Sequence, residues 1–385
     1  MVEWKKLGEV FEIRNGYTPS KNNPDYWENG TIPWFRMEDI RLNGGILSDS
    51  IQHITPASIK TSGLFPANTI IVATTATIGE HALVIVDSLA NQRFTALISR
   101  KSLTQSVLPR FVYYYCFKLD DWCKNHIRQG GFASVDMDGF KKYPFPIPSL
   151  SEQNRIVGIL DTFTASIDNL KEQIAQRRKQ YEYYRDELLD LEGKEGVEIA
   201  PLRRIVKSYC TGATPNKGHL EYYESGTIPW LRTQDVKFNE IYEIDSFVTE
   251  EAVAKTGVKW IPANCVIVAI SGATAGRCAI NKIPTTTNQH CLNLEINPKK
   301  ALYKYVYYCV YNAYSDMISK KQGARGDLNS SIILGITIPV PSLSEQQRIV
   351  SILDTFEASI QNLEAQLSQR EKQYEYYRNK LLSFE

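Results

Sequence analysis

"SLSEQNRIVGILDTFTASIDNLKEQIAQRRKQYEYYRDELL" at 149–189 returns at 342–382 as "SLSEQQRIVSILDTFEASIQNLEAQLSQREKQYEYYRNKLL", with 30 of 41 positions identical. Both copies read as helix. In the first, Ile156, Leu160, Phe163, Ile167, Leu170, Ile174, Arg177, Tyr181, Tyr184, Leu188 and Leu191 recur at alternating steps of four and three. In the second, Ile349, Leu353, Phe356, Ile360, Leu363, Leu367, Arg370, Tyr374, Tyr377, Leu381 and Phe384 do the same. A heptad seam sustained this long is the signature of a coiled coil. Ser149 with Glu152, and Ser342 with Glu345, predict a capping box at each start, and Gly193 and Gly196 predict the first helix's end. At ~1.5 Å per residue each helix is a rod of roughly 60 Å.

Upstream of each helix lies a weaker duplication. "GTIPWFRMED" (30–39) answers "GTIPWLRTQD" (226–235), and "FPANTIIVATTATIG" (65–79) answers "IPANCVIVAISGATAG" (261–276). "NQ" recurs at Asn91 and Asn288, and "YYC" ends at Cys116 and Cys309. The order is therefore globular domain (1–148), helix (149–192), globular domain (193–341), helix (342–385). Few residues separate the first helix from "APLRRIV", so the second helix must return antiparallel to the first to bury its seam. The expectation is a pseudo-twofold internal repeat in which two mixed α/β (α+β) globular domains are joined by two long antiparallel coiled-coil helices. The seam tyrosines read as core residues with hydroxyls at the rim, or as partner contacts. Arg177 and Arg370 either pair with acids or mark register.

Within the globular halves, "NTIIVATTA", "ALVIV", "FTALIS", "NCVIVAIS", "RCAI" and "LNLEI" read as short strands. "PRFVYYYCFKLDDWCKNHI" and "ALYKYVYYCVYNAYSDMISK" read as amphipathic helices. Strand order is not legible.

Composition fits a globular cytoplasmic protein, 43% hydrophobic and 23% charged, without an apolar run long enough for a membrane span. The seven cysteines form no C-x-x-C pair and read as reduced, buried thiols. Net charge is +1, distributed as +2, −3, +4 and −2 over the four segments, which permits a polyanionic partner without demanding one.

Enzyme motifs are absent from the sequence. "GATAGR" (272–277) has neither the spacing nor the lysine of a P-loop. His53, His81, His126, His219 and His290 make no metal-ligand spacing, so no metal is expected. "HC" at His290–Cys291 meets "RF" at Arg93–Phe94 in the other copy, which argues against a catalytic dyad. No catalytic residue is expected. Near-identical helices with divergent globular halves imply one partner surface presented twice and two different targets.

The duplicated "S-L-S-E-Q-x-R-I-V-x-I-L-D", "G-T-I-P-W-x-R" and "N-Q" motifs resemble the specificity (S) subunit of type I restriction-modification enzymes, over essentially the whole chain. The resemblance implies two target-recognition domains, each reading half of a bipartite site in double-stranded DNA across a helical spacer. It implies two methyltransferase (M) subunits carrying S-adenosylmethionine and restriction (R) subunits using ATP and Mg, with no cofactor in this chain and no membrane. DNA-binding candidates in the first domain are Lys21, Arg36, Arg41, Lys60, Arg93 and Arg128. In the second they are Lys217, Arg232, Lys237, Lys259, Arg277, Lys320, Lys321 and Arg325. Each is alternatively a solvated or ion-paired side chain, and Asp39 and Asp235 stand ready to pair with Arg36 and Arg232. A rod of roughly 60 Å limits the whole site to ~18 base pairs. The competing readings are a subunit of a related two-sided-cutting nuclease and a coiled-coil adaptor that binds no nucleic acid.

Overall fold

The computed structural model describes residues 2–128, 133–319 and 327–384. It divides into two compact units, Met1–Lys171 with Ala365–Glu385, and Glu172–Glu364. The division passes through both long helices, Leu150–Leu189 and Leu343–Leu381. Each unit thus holds one globular head, the opening turns of its own helix and the closing turns of the other.

The two heads share a plan. In the first, a five-stranded sheet runs Phe11–Asn15, Phe94–Ser99, Thr69–Ala73, His81–Val84, Ile46–Leu47, antiparallel except for the parallel last pair. In the second, Val206–Thr211, Cys291–Ile296, Val266–Ala269, Cys278–Asn281 and Asn239–Ile241 take the same order and directions. These strands carry few polar residues because both faces are covered. Ile70 and Val72 face the helix Pro109–Asn125 and the long-helix turns, whereas Ile71 and Ala73 face a smaller sheet built on Ile32–Phe35. Val266 and Val268 against Ile267 and Ala269 repeat the alternation. The second domain helix differs from its sequence reading: it breaks into Tyr303–Asn312 and Tyr314–Ser319.

Each head is closed by a two-stranded clasp of its first and last strands, Glu3–Lys6 with Pro144–Ile147, and Glu198–Pro201 with Thr337–Val340. The long helix follows at once. Ser149 and Ser342 accept from the N–H of Glu152 and Glu345 at 3.3 Å. The expected capping box is only half made, because each glutamate turns to an arginine one turn on: Glu152 to Arg155 at 2.6 Å and Glu345 to Arg348 at 2.7 Å. The next residue forms the joint. Gln153, 0% exposed, accepts from Leu108 N–H at 2.8 Å and donates to the carbonyls of Ser106 and Pro148, both at 2.8 Å. Gln346, 0% exposed, does the same with Leu302 N–H, Lys300 and Pro341 at 2.8, 3.3 and 2.9 Å. Two turns later, Tyr114 donates to Asp161 at 2.5 Å and Tyr308 to Asp354 at 2.6 Å.

The helices pair antiparallel within each unit. In the first, Phe163 stacks on Tyr377 at 5.5 Å, Arg370 covers Phe163 at 5.8 Å, and Lys171 meets Glu371 at 3.6 Å. In the second, Tyr184 stacks on Phe356 at 5.4 Å, Arg177 covers Phe356 at 5.9 Å, and Arg178 meets Glu364 at 2.5 Å. Partner numbers fall as residue numbers rise. Of the seam, Ile156, Leu160, Ile167, Leu170, Ile174, Tyr181, Ile349 and Leu353 are buried, and Phe163, Phe356, Ile360, Leu363, Leu367 and Tyr374 are half-buried. Tyr184 and Tyr377 correct the seam reading: each presses one face on a phenylalanine and remains 43% and 42% exposed. The seam arginines sit over aromatic rings, which accommodates a cation without burying it unpaired.

Tyr181 donates to Glu357 at 3.0 Å, and burial pushes the Glu357 carboxyl above its ordinary value of 4.5. The folded chain therefore holds that proton more tightly than the unfolded chain. This stabilisation is complete below 4.5 and is lost as pH rises through the folded value. Glu357→Gln should accordingly gain stability relative to the parent as pH rises above 4.5; a thermal melt series showing no such divergence would contradict it. Gln153→Leu removes three hydrogen bonds, one of them wholly buried, and should cost about 2–3 kcal/mol, read as a lowered melting transition against an exposed Asn154→Ala control.

Candidate nucleic-acid interface

One end of each central sheet gathers the duplicated polar motifs. The strand Phe11–Asn15 runs into "GYTP" (16–19) and Val206–Thr211 into "GATP" (212–215). A glycine is required there: a Cβ on Gly16 would collide with the carbonyls of Ala90 and Asn91, and one on Gly212 with that of Thr287. The tryptophan of "GTIPW" pins the loop, Trp34 Nε1 donating to Tyr17 O at 3.0 Å and Trp230 Nε1 to Ala213 O at 3.1 Å. The glutamine of "NQ" ties its other side, Thr18 donating to Gln92 and Thr214 to Gln289. The recurring tetrapeptides are thus one mutually bonded loop frame.

The candidate arginines of "W-x-R" leave this frame. Asp39 and Asp235 do not pair with their guanidinium groups. Each carboxylate instead accepts from the main-chain N–H of its arginine, Arg36 at 2.6 Å and Arg232 at 2.8 Å, and Asp39, 0% exposed, also accepts from Ile51 N–H at 2.7 Å. The Nε atoms of Arg36 and Arg232 are buried without a hydrogen-bond partner among the described residues, although Arg36 has Glu38 at 3.9 Å. Lys60 lies over the Tyr17 ring at 4.3 Å, beside the frame.

Other candidates are engaged elsewhere. Arg41 faces Glu80 at 3.9 Å. Arg128, on the hairpin Ile127–Arg128 with Ser134–Val135, donates to Asp138 at 2.7 Å and to Asp136; these carboxylates raise its pKa, Asp138 foremost. Among the described residues Lys21, Arg93, Lys217, Arg232, Lys237, Lys259 and Arg277 make no ion pair. Lys320, Lys321 and Arg325 lie outside the described residues. At the turn preceding the fourth strand the heads differ in sign: Glu80 O accepts from Ala73 N–H at 2.8 Å where Arg277 O accepts from Ala269 N–H at 2.9 Å. Cationic reading missed the uncharged members of the frame, Thr18, Gln92, Thr214 and Gln289, whose only signal was recurrence in both halves.

Chemistry on the chain itself finds little support. Cys291, beside His290, is fully buried and burial pushes its thiol far up, as it does those of Cys116 and Cys278, so none of these three is set up as a nucleophile. His81 meets Asp120 at 2.5 Å, but this buried pair packs on Tyr113 and Phe117 and has no counterpart in the second head, where Cys278 opens the equivalent strand. Among the described residues no cluster of His, Cys, Asp or Glu could hold a metal ion, and no helix is long and apolar enough to cross a membrane.

Known proteins share this arrangement. The family pattern described as the type I restriction modification DNA specificity domain matches residues 1–177 and 194–371. The type I restriction enzyme EcoR124I/EcoR124II specificity subunit of Escherichia coli is 32% identical over 411 residues, covering 100% of this chain and 94% of that relative. The EcoprrI specificity subunit of Escherichia coli is 49% identical over 205 residues, 50% of this chain; the match spans about half of that relative, 51%. The S subunit from M. genitalium superposes with a TM-score of 0.59 at 16% identity, covering 100% of this chain and 97% of its own. A chain solved in work on complex assembly of the type I R-M system gives 0.67 at 17%, with 99% and 96% covered. At these identities the solved structures speak for the fold, and the sequence matches speak for descent. With both halves matched and the frame present in each, this chain belongs to the type I restriction-modification DNA specificity family, as a non-catalytic specificity subunit with two target-recognition domains.

Proposed function

We propose that the chain reads a bipartite site in double-stranded DNA, one half-site per head, while the helix pair sets the spacer and docks two methyltransferase subunits. The observation that carries this reading is the repetition of one loop frame at the same sheet end of both heads, with different charged side chains mounted on it. A repeated mount with changed fittings suits two half-sites of different sequence. The helices, of 40 and 39 residues, are each about 60 Å long, enough for a spacer within a site of ~18 base pairs or fewer. Methylation would use S-adenosylmethionine held by the partner methyltransferases, and cleavage would use ATP and Mg held by restriction subunits. Among the described candidates Lys21, Arg93, Lys217, Arg232, Lys237, Lys259 and Arg277 make no ion pair and are available for phosphates or bases, whereas Arg128 is assigned to its hairpin.

The docking surface lies on the helices. In the second unit, Tyr184, Leu188, Leu191, Ile352 and Phe356 line an open groove of about 610 Å³ edged by Glu345 and Arg348. The first unit carries Tyr377, Leu381, Ile159 and Phe163 at the matching positions, with Phe384 in place of Leu191, beside Glu152 and Arg155. Tyr183 and Tyr376, 64% and 59% exposed, are spent on no core in either copy. Equal surfaces call for equal partners, one per unit.

Replacing 1–148 with the matching segment of a relative should change one half of the methylated sequence and spare the other. Sequencing modified adenines in a host expressing the complex checks this, and a change in both halves would refute independent heads. Ile352→Glu should reduce the methyltransferase content of the complex from two copies to one, read by native mass spectrometry. Retention of both copies would remove the groove from consideration.

A further inference from the structure

Resting on the half-site reading above, a finer assignment follows from one turn. Asn91–Phe94 and Asn288–Cys291 are held by equivalent bonds throughout. The asparagine N–H donates to Phe35 O at 3.0 Å in one head and to Leu231 O at 3.0 Å in the other. Its side chain accepts from the N–H two residues on, Arg93 at 3.0 Å and His290 at 3.1 Å. The turn closes through Phe94 N–H to Asn91 O at 3.1 Å and Cys291 N–H to Asn288 O at 3.2 Å. The third residue's carbonyl is gripped by the neighbouring strand end, Arg93 O by Thr74 N–H at 3.0 Å and His290 O by Ile270 N–H at 2.9 Å. The glutamine between them is tied to Thr18 or Thr214. The fourth side chain, Phe94 or Cys291, is buried, and of the two exposed side chains only the third changes, from Arg93 to His290. The Arg93 guanidinium has no hydrogen bond or ion pair among the described residues, and His290 Nε2 meets only Gln289 at 3.2 Å.

We infer that this position determines specificity: Arg93 reads a guanine in the half-site of the first head, His290 reads a purine N7 in that of the second, and Gln92 and Gln289 only position the turn. The chemistry follows from the groups. A guanidinium fork matches O6 and N7 of guanine with two parallel bonds, while an imidazole offers one ring nitrogen to a single edge atom. A main chain fixed on all sides leaves only the side-chain rotamers to order on binding. An unpaired side chain loses no internal partner when it enters a groove.

The test uses the complex assembled with its methyltransferase subunits and a panel of duplexes varied singly at each position of the methylated site. Arg93→Ala should bind the parent site about 10–100-fold less tightly and lose its preference at one G·C pair of one half-site, leaving the other half-site unchanged. Arg93→Lys, which keeps the charge and loses the fork, should remain relaxed at that pair. Gln92→Ala should weaken binding evenly across the panel. Arg93→Ala weakening every sequence alike, which marks a phosphate contact, abolishing binding to all of them, leaving the panel unchanged or altering both half-sites would overturn the assignment, as would full restoration by Arg93→Lys, which shows that the charge and not the fork makes the contact. A wild-type complex with no bipartite preference would instead sink the half-site reading itself, so the two failures are separable.

Discussion

A primary amide that cannot reach water governs how each head meets its helix. Gln153 and Gln346 are wholly enclosed, and an enclosed amide must find its partners within the protein. Those partners are the start of the domain helix, the loop before it and the residue after the closing clasp. Three elements are therefore fixed against the first turn of the long helix at a single point. The bonds of Tyr114 to Asp161 and Tyr308 to Asp354 add a second point two turns on. Two fixed points along a helix define its direction, so the head and the opening turns behave as one piece.

From that joint the division of labour in the molecule follows. The helices cannot vary without disturbing the joint, the arginine-on-phenylalanine contacts or the inter-helix ion pairs. The sheet-end loops are under a different constraint. Trp34 and Trp230 tie their main chains and Gln92 and Gln289 their threonine hydroxyls, while outward side chains such as that of Arg93 make no internal hydrogen bond or ion pair among the described residues. Variation is thereby confined to the side chains a ligand would meet, which explains why one half of the duplication reads as near-identical and the other as scattered anchors.

The heptad seam was legible because period and hydrophobicity agree over many turns, and the strand identities because apolar β-branched runs are short and bounded by turns. Strand order was not legible, since neighbours such as Phe11–Asn15 and Phe94–Ser99 are joined by contacts that no local pattern encodes. Glu152 and Glu345 have the spacing of cap partners, but an arginine one turn on competes for each carboxylate and wins. Nothing in the sequence marks the buried glutamines, because a polar residue in a first helical turn looks solvated until the head folds over it. Tyr184 and Tyr377 follow the seam period yet lie on its flank, because a ring can satisfy a heptad position through one face only. Among the cations, sequence could not separate Arg128, neutralised by two carboxylates, from Arg93, which has none.

Leu382 is buried in the core of the unit that begins at the N-terminus, with Tyr374, Leu381 and Phe384 packed around it. The ribosome delivers those side chains long after the rest of that unit, a delay of about 10–40 s at ~5–20 residues per second for the stretch between. During that interval the nascent protein carries an open apolar stripe, which makes it a natural client for a holding chaperone. A chain cut short before Tyr374 would thus damage the unit that holds residues 2–171, although all of those residues had already been made.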